Sequence, residues 1–222
     1  MESYQGKDKE DERLYWLMFP LSTTLKQFYQ NYFRSGNHLF TTFKDFPKFL
    51  YTKTSFGTDW DSFGNIPNLE SVDFSFITSN FGSRTLHTCP KLTDCGILNA
   101  TTFGDRCFEE DIAIDRLIFT NVTTFTYRIA YATNAATGRT WKMRYVLILT
   151  NTMATLGTSS NTTAAILSFC YRTKPIYVPD DLVASYKAAT NWSSFSSVLK
   201  PLSQFAIDFP NEEDWVYELI NG

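Results

Sequence analysis

Histidine is nearly missing from the 222 residues: only His38 and His87 occur. That excludes a metal centre built on several imidazoles and leaves two side chains for any histidine-based acid–base or nucleophilic mechanism, of which His87 is the weak catalytic candidate. No glycine-rich phosphate loop is present, and "GTSSN" at 157–161 lacks the framing glycine of a nucleophile elbow. No stretch approaches the roughly 20 apolar residues of a membrane helix, so no membrane span is expected. There is no cationic surplus either. Lys and Arg total 20 against 23 Asp and Glu, for a net charge of −3, so nucleic acid is not an expected partner. The cysteines and His87 in "HTCPKLTDC" do not follow zinc-knuckle spacing, and Asp59 and Asp61 in "TDWDSFG" read as turn caps. The expectation is no metal and no cofactor.

What the chain holds instead is aromatic side chains, 17% of the total with 20 Phe and 12 Tyr, and a heavy use of Thr. These residue types favour strands. At 43% apolar and 19% charged, the chain has material for a sizeable core, and nothing in its middle reads as a linker, so a single domain over 1–222 is expected.

Compartment is divided. The opening "MESYQGKDKEDERLYWLMFPL" is charged where a signal peptide would be apolar, which implies a cytoplasmic protein if Met1 is the native start. Against that stand four sequons, at Asn99, Asn121, Asn161 and Asn191, about what chance gives at this Ser and Thr content. Four cysteines, Cys89, Cys95, Cys107 and Cys170, could form two disulfides in any of three connectivities. A secreted or surface chain with an added Met1 would use both.

Along the chain, "STTLKQFYQNYFR" at 22–34 spaces its aromatics as one face of a helix, giving a helical N-terminal flank over 1–36. An irregular connection follows over 37–69, broken by Pro47, Gly57, Gly64 and Pro67. From 70 the period becomes two. Val72, Phe74 and Phe76 alternate with Ser71, Asp73 and Ser75, and "DIAIDRLIF" at 111–119 and "TAAILSFCY" at 163–171 repeat the pattern. Strands joined without crossover helices predict an α+β, β-dominated fold, with an antiparallel β barrel or curved sheet over about 70–178 and helices over 179–222.

"FTYRIAYATNAATGRTWKMRYVLIL" at 125–149 reads as a hairpin pairing Tyr131 with Trp141, Ile129 with Met143 and Tyr127 with Tyr145. One face gathers Phe125, Tyr127, Tyr131, Trp141 and Tyr145. The other sets Arg128 opposite Arg144, which calls for an acid nearby, Asp111 or Asp115, or for an anionic ligand. The aromatic face is either core filling or the wall of a pocket. The function expected from this layout is a non-enzymatic binding protein holding a mostly apolar small molecule against the hairpin, with Arg128 or Arg144 near the rim. A viral or cell-surface structural or attachment domain, taking a protein partner, is the second reading, and a small-molecule isomerase or cyclase using His87, or a buried Tyr with a carboxylate, the third. Oligomeric state is not legible in the sequence.

Overall fold

The computed structural model describes residues 42–43, as backbone, and 55–56, 63–126, 128–130, 142–157 and 174–222. The expected N-terminal helix, most of the 37–69 connection and the strand at 163–171 lie outside these residues.

Every strand pairing among the described residues is parallel. A two-stranded sheet joins β1 (Thr42–Phe43) to β2 (Ser71–Val72). A five-stranded sheet contains β3 (Ile97–Leu98), β5 (Arg116–Phe119), β7 (Tyr145–Ile148), β9 (Ile176–Val178) and β10 (Leu199–Pro201), in the order β10-β9-β7-β5-β3. A three-stranded sheet runs β4 (Thr102–Phe103), β6 (Thr124–Phe125), β8 (Thr155–Leu156). The antiparallel barrel or curved sheet expected over 70–178 is therefore corrected to a mixed α/β fold of parallel sheets with no closed barrel, and among the described residues of 125–149 no hairpin pairing is made. β6 pairs with β4 and β8, while β7 pairs with β5 and β9.

The physical reason lies in the spacing of partners. Between coils, hydrogen bonds join residues 21, 22 or 23 positions apart, and the interval widens to 29 and 32 where a coil takes in the longer connection before β7. A chain that sets each strand beside its counterpart one coil earlier is a solenoid, in which every coil covers the open side of its neighbour. Period-two alternation is common to parallel and antiparallel strands and does not distinguish them.

The coil has three walls. Strands of the five-stranded and three-stranded sheets form two of them. The third is a ladder of single bonds, Arg84 N–H to Asp105 C=O at 2.8 Å, Leu86 to Cys107 at 2.9 Å and Phe108 to Ile129 at 2.8 Å. Its corners use left-handed backbone at residues other than glycine: Arg84, Arg106 and Arg128 have φ of 52°, 56° and 46°, and Asn65, Thr88 and Glu110 have 60°, 60° and 66°. Such conformations cost about 1–2 kcal/mol each, and the ladders on both sides of each corner hold them.

Inward side chains stack by register. Leu117, Val146, Ile176 and Leu199 form one column, and Leu98, Phe119 and Ile148 another. An aromatic column crosses the interior: Phe81 meets Phe103 at 5.1 Å between ring centroids, Phe103 meets Phe125 at 5.9 Å, and Phe125 meets Trp192 at 6.0 Å. Trp192, in a 3-10 turn, donates its indole N–H to the Ala154 carbonyl at 2.7 Å and meets Tyr186 edge-on, closing the C-terminal end of the column.

The helical C-terminal flank is present in part, as α1 (Val183–Ala188), α2 (Phe205–Asp208) and α3 (Asp214–Asn221). Within the 179–222 span expected to be helical, Trp192–Phe195 form a 3-10 turn and Leu199–Pro201 form β10, which joins the parallel sheet. Beyond β10 the chain folds back over the outer face of the five-stranded sheet. There Ile118, Tyr145, Leu147 and Tyr177 pack with Phe205 and Val216 in a second apolar cluster. No helix among the described residues is long and apolar enough to cross a membrane.

Candidate functional site

The residues expected to share one binding surface are dispersed. Phe125 is fully buried on the inner face of β6, between Phe103, Phe119 and Trp192. Tyr145 points the other way from its sheet, against Phe205 and Phe209. Burial, reinforced by the Glu212 carboxylate, raises its phenol above the ordinary value. Tyr127, Tyr131 and Trp141 lie outside the described residues. The two aromatics that are described are both buried, in apolar clusters on opposite sides of a wall.

Arg128 and Arg144 do not face each other. Arg144 lies beside β7, where its guanidinium grips Asp115 through Nε–Oδ1 at 2.8 Å and Nη2–Oδ2 at 2.5 Å, and Glu212 through Nη1–Oε2 at 2.6 Å. Arg116 joins the group, meeting Glu212 and Glu213 at 3.2 Å each. These carboxylates hold the Arg144 guanidinium more firmly protonated than usual, and acids of the chain itself fill the positions an anionic ligand would take. The cluster ties the C-terminal segment to the sheet. Arg128 stands on the third wall in line with Arg84 and Arg106. In that line Arg106 lies 3.7 Å from Asp105 and 3.8 Å from Glu109, while burial pushes both carboxyls up.

Asp111, expected beside Asp115 on a surface, is fully buried. Its Oδ1 accepts the Cys89 N–H at 2.6 Å and its Oδ2 has no hydrogen-bond partner. Desolvation raises its pKa well above the carboxylate range. Cys89, Cys95 and Cys107 are buried free thiols rather than disulfide halves, and burial raises all three; Cys170 lies outside the described residues. His87 is buried, with Nε2 3.3 Å from the Asn65 amide and Nδ1 3.0 Å from the Thr88 hydroxyl. Those contacts brace a corner of the coil. Among the sequons, Asn121 is exposed, Asn99 accepts the Thr120 hydroxyl at 3.1 Å, and Asn191 donates to the Leu156 carbonyl at 2.6 Å from a backbone of φ 73°. Asn161 is outside the described residues. Among the described residues no group of three or more acids, cysteines or histidines is placed to hold a metal.

A surface that the sequence reading missed is the outer side of the three-stranded sheet. Charged residues are missing from 74–83, 96–104, 117–127 and 145–157, windows that take in the successive passes of the chain through this side of the coil and, at 97–98, 117–119 and 145–148, strands of the five-stranded sheet. Thr78, Ser79, Asn121, Thr123, Asn151, Thr152 and Thr155 are exposed there, with Thr101, Thr102, Thr124 and Thr126 half-buried between them. The hydroxyls form a ladder. Thr101 donates to the Ser79 carbonyl at 2.9 Å, Thr123 to Thr101 at 3.1 Å, Thr155 to Thr123 at 3.2 Å and Thr126 to Phe103 at 3.1 Å. The recurrence of uncharged windows, beginning at 74, 96 and 117 and again at 145, was the signal that could have found it.

No protein-family model matches the chain, and no curated protein matches it in sequence.

Proposed function

We propose that the protein is a non-enzymatic attachment module, a rigid solenoid that holds a macromolecular partner on its uncharged hydroxyl face. The observation that carries this reading is the contrast between that face and the rest of the described surface. The outer side of the five-stranded sheet is covered by the protein's own C-terminus, and the third wall is set with Arg106 against Asp105 and Glu109. The outer side of the three-stranded sheet carries exposed Thr, Ser and Asn over at least three coils. Repeating surfaces of this kind suit extended partners, because each coil adds the same contact at a fixed offset.

The small-molecule reading needs aromatic walls and an arginine rim on one surface, whereas Phe125 and Arg128 lie on walls other than the one that holds Tyr145 and Arg144, where the guanidinium covers the buried ring at 5.3 Å. Immobilised full-length protein offered surface-derived macromolecules, and separately a hydrophobic dye and a lipid extract, distinguishes the two. Retention of high-mass material with no rise in Tm on adding lipid is expected. Saturable dye or lipid binding that raises Tm, with nothing of high mass retained, would overturn the attachment reading.

A further inference from the structure

We propose that the hydroxyl face binds a neutral, extended polysaccharide lying along the solenoid axis. The inference deepens the attachment reading and rests on it. Three observations select this partner. First, the face falls within the uncharged windows 74–83, 96–104, 117–127 and 145–157 of a chain that is 19% charged overall. An anionic polymer would find no Lys or Arg there to replace its counterions.

Second, the chemistry of the ladder leaves acceptors outward. A threonine hydroxyl has one proton, and in Thr101, Thr123, Thr126 and Thr155 it is donated to a carbonyl of the neighbouring coil. In Thr101, Thr123 and Thr155, whose bonds lie at the exposed surface, the remaining lone pairs are open to outside donors. Sugar hydroxyls supply donors in dense, regular array, and the exposed amides of Asn121 and Asn151 return donors to sugar oxygens. A protein partner would ordinarily be held by aromatic or arginine anchors in a desolvated centre. The exposed residues described on this face are Thr, Ser and Asn, with Met153 at one end.

Third, the repeat matches. Parallel strands lie about 4.8 Å apart, so Thr102, Thr124 and Thr155, which are register partners, rise along the axis in steps close to one sugar unit of an extended polysaccharide. A chain laid along the column meets equivalent hydroxyls at each step.

The test is co-sedimentation of the full chain with insoluble cellulose, chitin, xylan and β-1,3-glucan, with carboxymethyl cellulose as the charged comparator. Retention on at least one neutral polymer is expected, unchanged by raising salt to about 0.5 M, where charge contacts are screened. The double variant Thr123→Lys, Thr155→Lys is expected to bind at least tenfold more weakly. Thr93→Lys, which removes the same kind of hydroxyl-to-carbonyl bond on a different wall, is expected to bind as the wild type does, with melting curves confirming that all three proteins fold. The proposal is overturned if no neutral polymer retains the chain, if retention needs the charged polymer and fades with salt, or if the double variant binds normally. Should the neutral polymers fail while a protein component is retained and then lost in the double variant, the polysaccharide is wrong and the attachment face stands.

Discussion

Asp111 shows how far one residue can stray from its apparent pattern. Counted by twos from Asp115 it belongs on the same surface, but the chain turns between them, with the Ile114 N–H bonded to the Asp111 carbonyl at 3.2 Å, and the parity breaks. The carboxyl ends up indoors, serving the Cys89 amide. Its raised pKa fixes the sign of its effect. Folding binds a proton that the unfolded chain releases above the ordinary value of 3.8, so stability is fully present below that value and declines as pH rises toward the raised one. Asp111→Asn keeps an acceptor for the Cys89 N–H without the proton. Denaturant titrations from pH 4 to 7 are expected to show a flatter stability profile for this variant and a gain at neutral pH. Asp111→Ala loses the bond and is expected to cost about 1–3 kcal/mol. A wild-type-like pH slope in the Asn variant would mean that another group is responsible. Thr88 makes a separate case: a β-branched residue at φ 60°, exposed at a corner. Thr88→Gly relieves that strain at the loss of the contact with His87, and Tm is expected to rise.

At the scale of the element, much was legible, and its most informative part was the repeat. "NFGSR" at 80–84, "TFGDR" at 102–106 and "TFTYR" at 124–128 are three copies of one corner. Each carries the inward Phe81, Phe103 or Phe125, and each ends in the left-handed Arg84, Arg106 or Arg128. Alternation alone gave strands in about the right places, at Val72, Leu117 and Val146. It could not give their direction, which is decided by which segments share a spacing. Hence the correction from a hairpin across 125–149 to two strands on different walls. The third residue of the corner has its own constraint. A Cβ on Gly104 would stand 2.2 Å from the Gly82 carbonyl oxygen, so adjacent coils touch there through backbone. Gly104→Ala is expected to lower stability by 2 kcal/mol or more, about the cost of forcing extra volume into a close-packed site. Phe103→Ala, which empties the middle of the aromatic column, is expected to cost about 3–5 kcal/mol, and Phe103→Leu distinctly less. Equal losses for Leu and Ala would mean that ring stacking, rather than volume, holds the coils together.

At the scale of the whole molecule, the acids just ahead of α3 clasp the sheet, a role no local pattern announces because the partners are about 70 to 100 residues apart. Two attachments fix this segment. Glu212 and Glu213 meet Arg144 and Arg116 at one end; at the other, Asp208 accepts from Lys200 at 2.6 Å, from Gln204 at 3.1 Å and from the Tyr177 hydroxyl. Those bonds, Lys200 foremost, bring the Asp208 carboxyl down to about 2, and the Trp215 indole and Arg116 lower Glu213. Both acids are therefore deprotonated to lower pH in the folded chain than in the unfolded one. Their stabilisation is present above the ordinary values of 3.8 and 4.5 and fades as pH falls toward 2. The cover should loosen in that window before the solenoid does, since the aromatic column contains no ionisable group. Trp215 fluorescence followed against pH is expected to change ahead of the far-ultraviolet signal of the strands, and Asp208→Asn should shift that change to higher pH. A chain ending at Pro201 tests the same division without acid. It leaves Ile118, Tyr145, Leu147 and Tyr177 uncovered as one apolar patch, and exposed patches of that kind drive association. The expected outcome is a folded solenoid that self-associates, read by light scattering with the parallel-sheet signal retained. Loss of all structure on truncation would show instead that the cover and the coils fold as one unit.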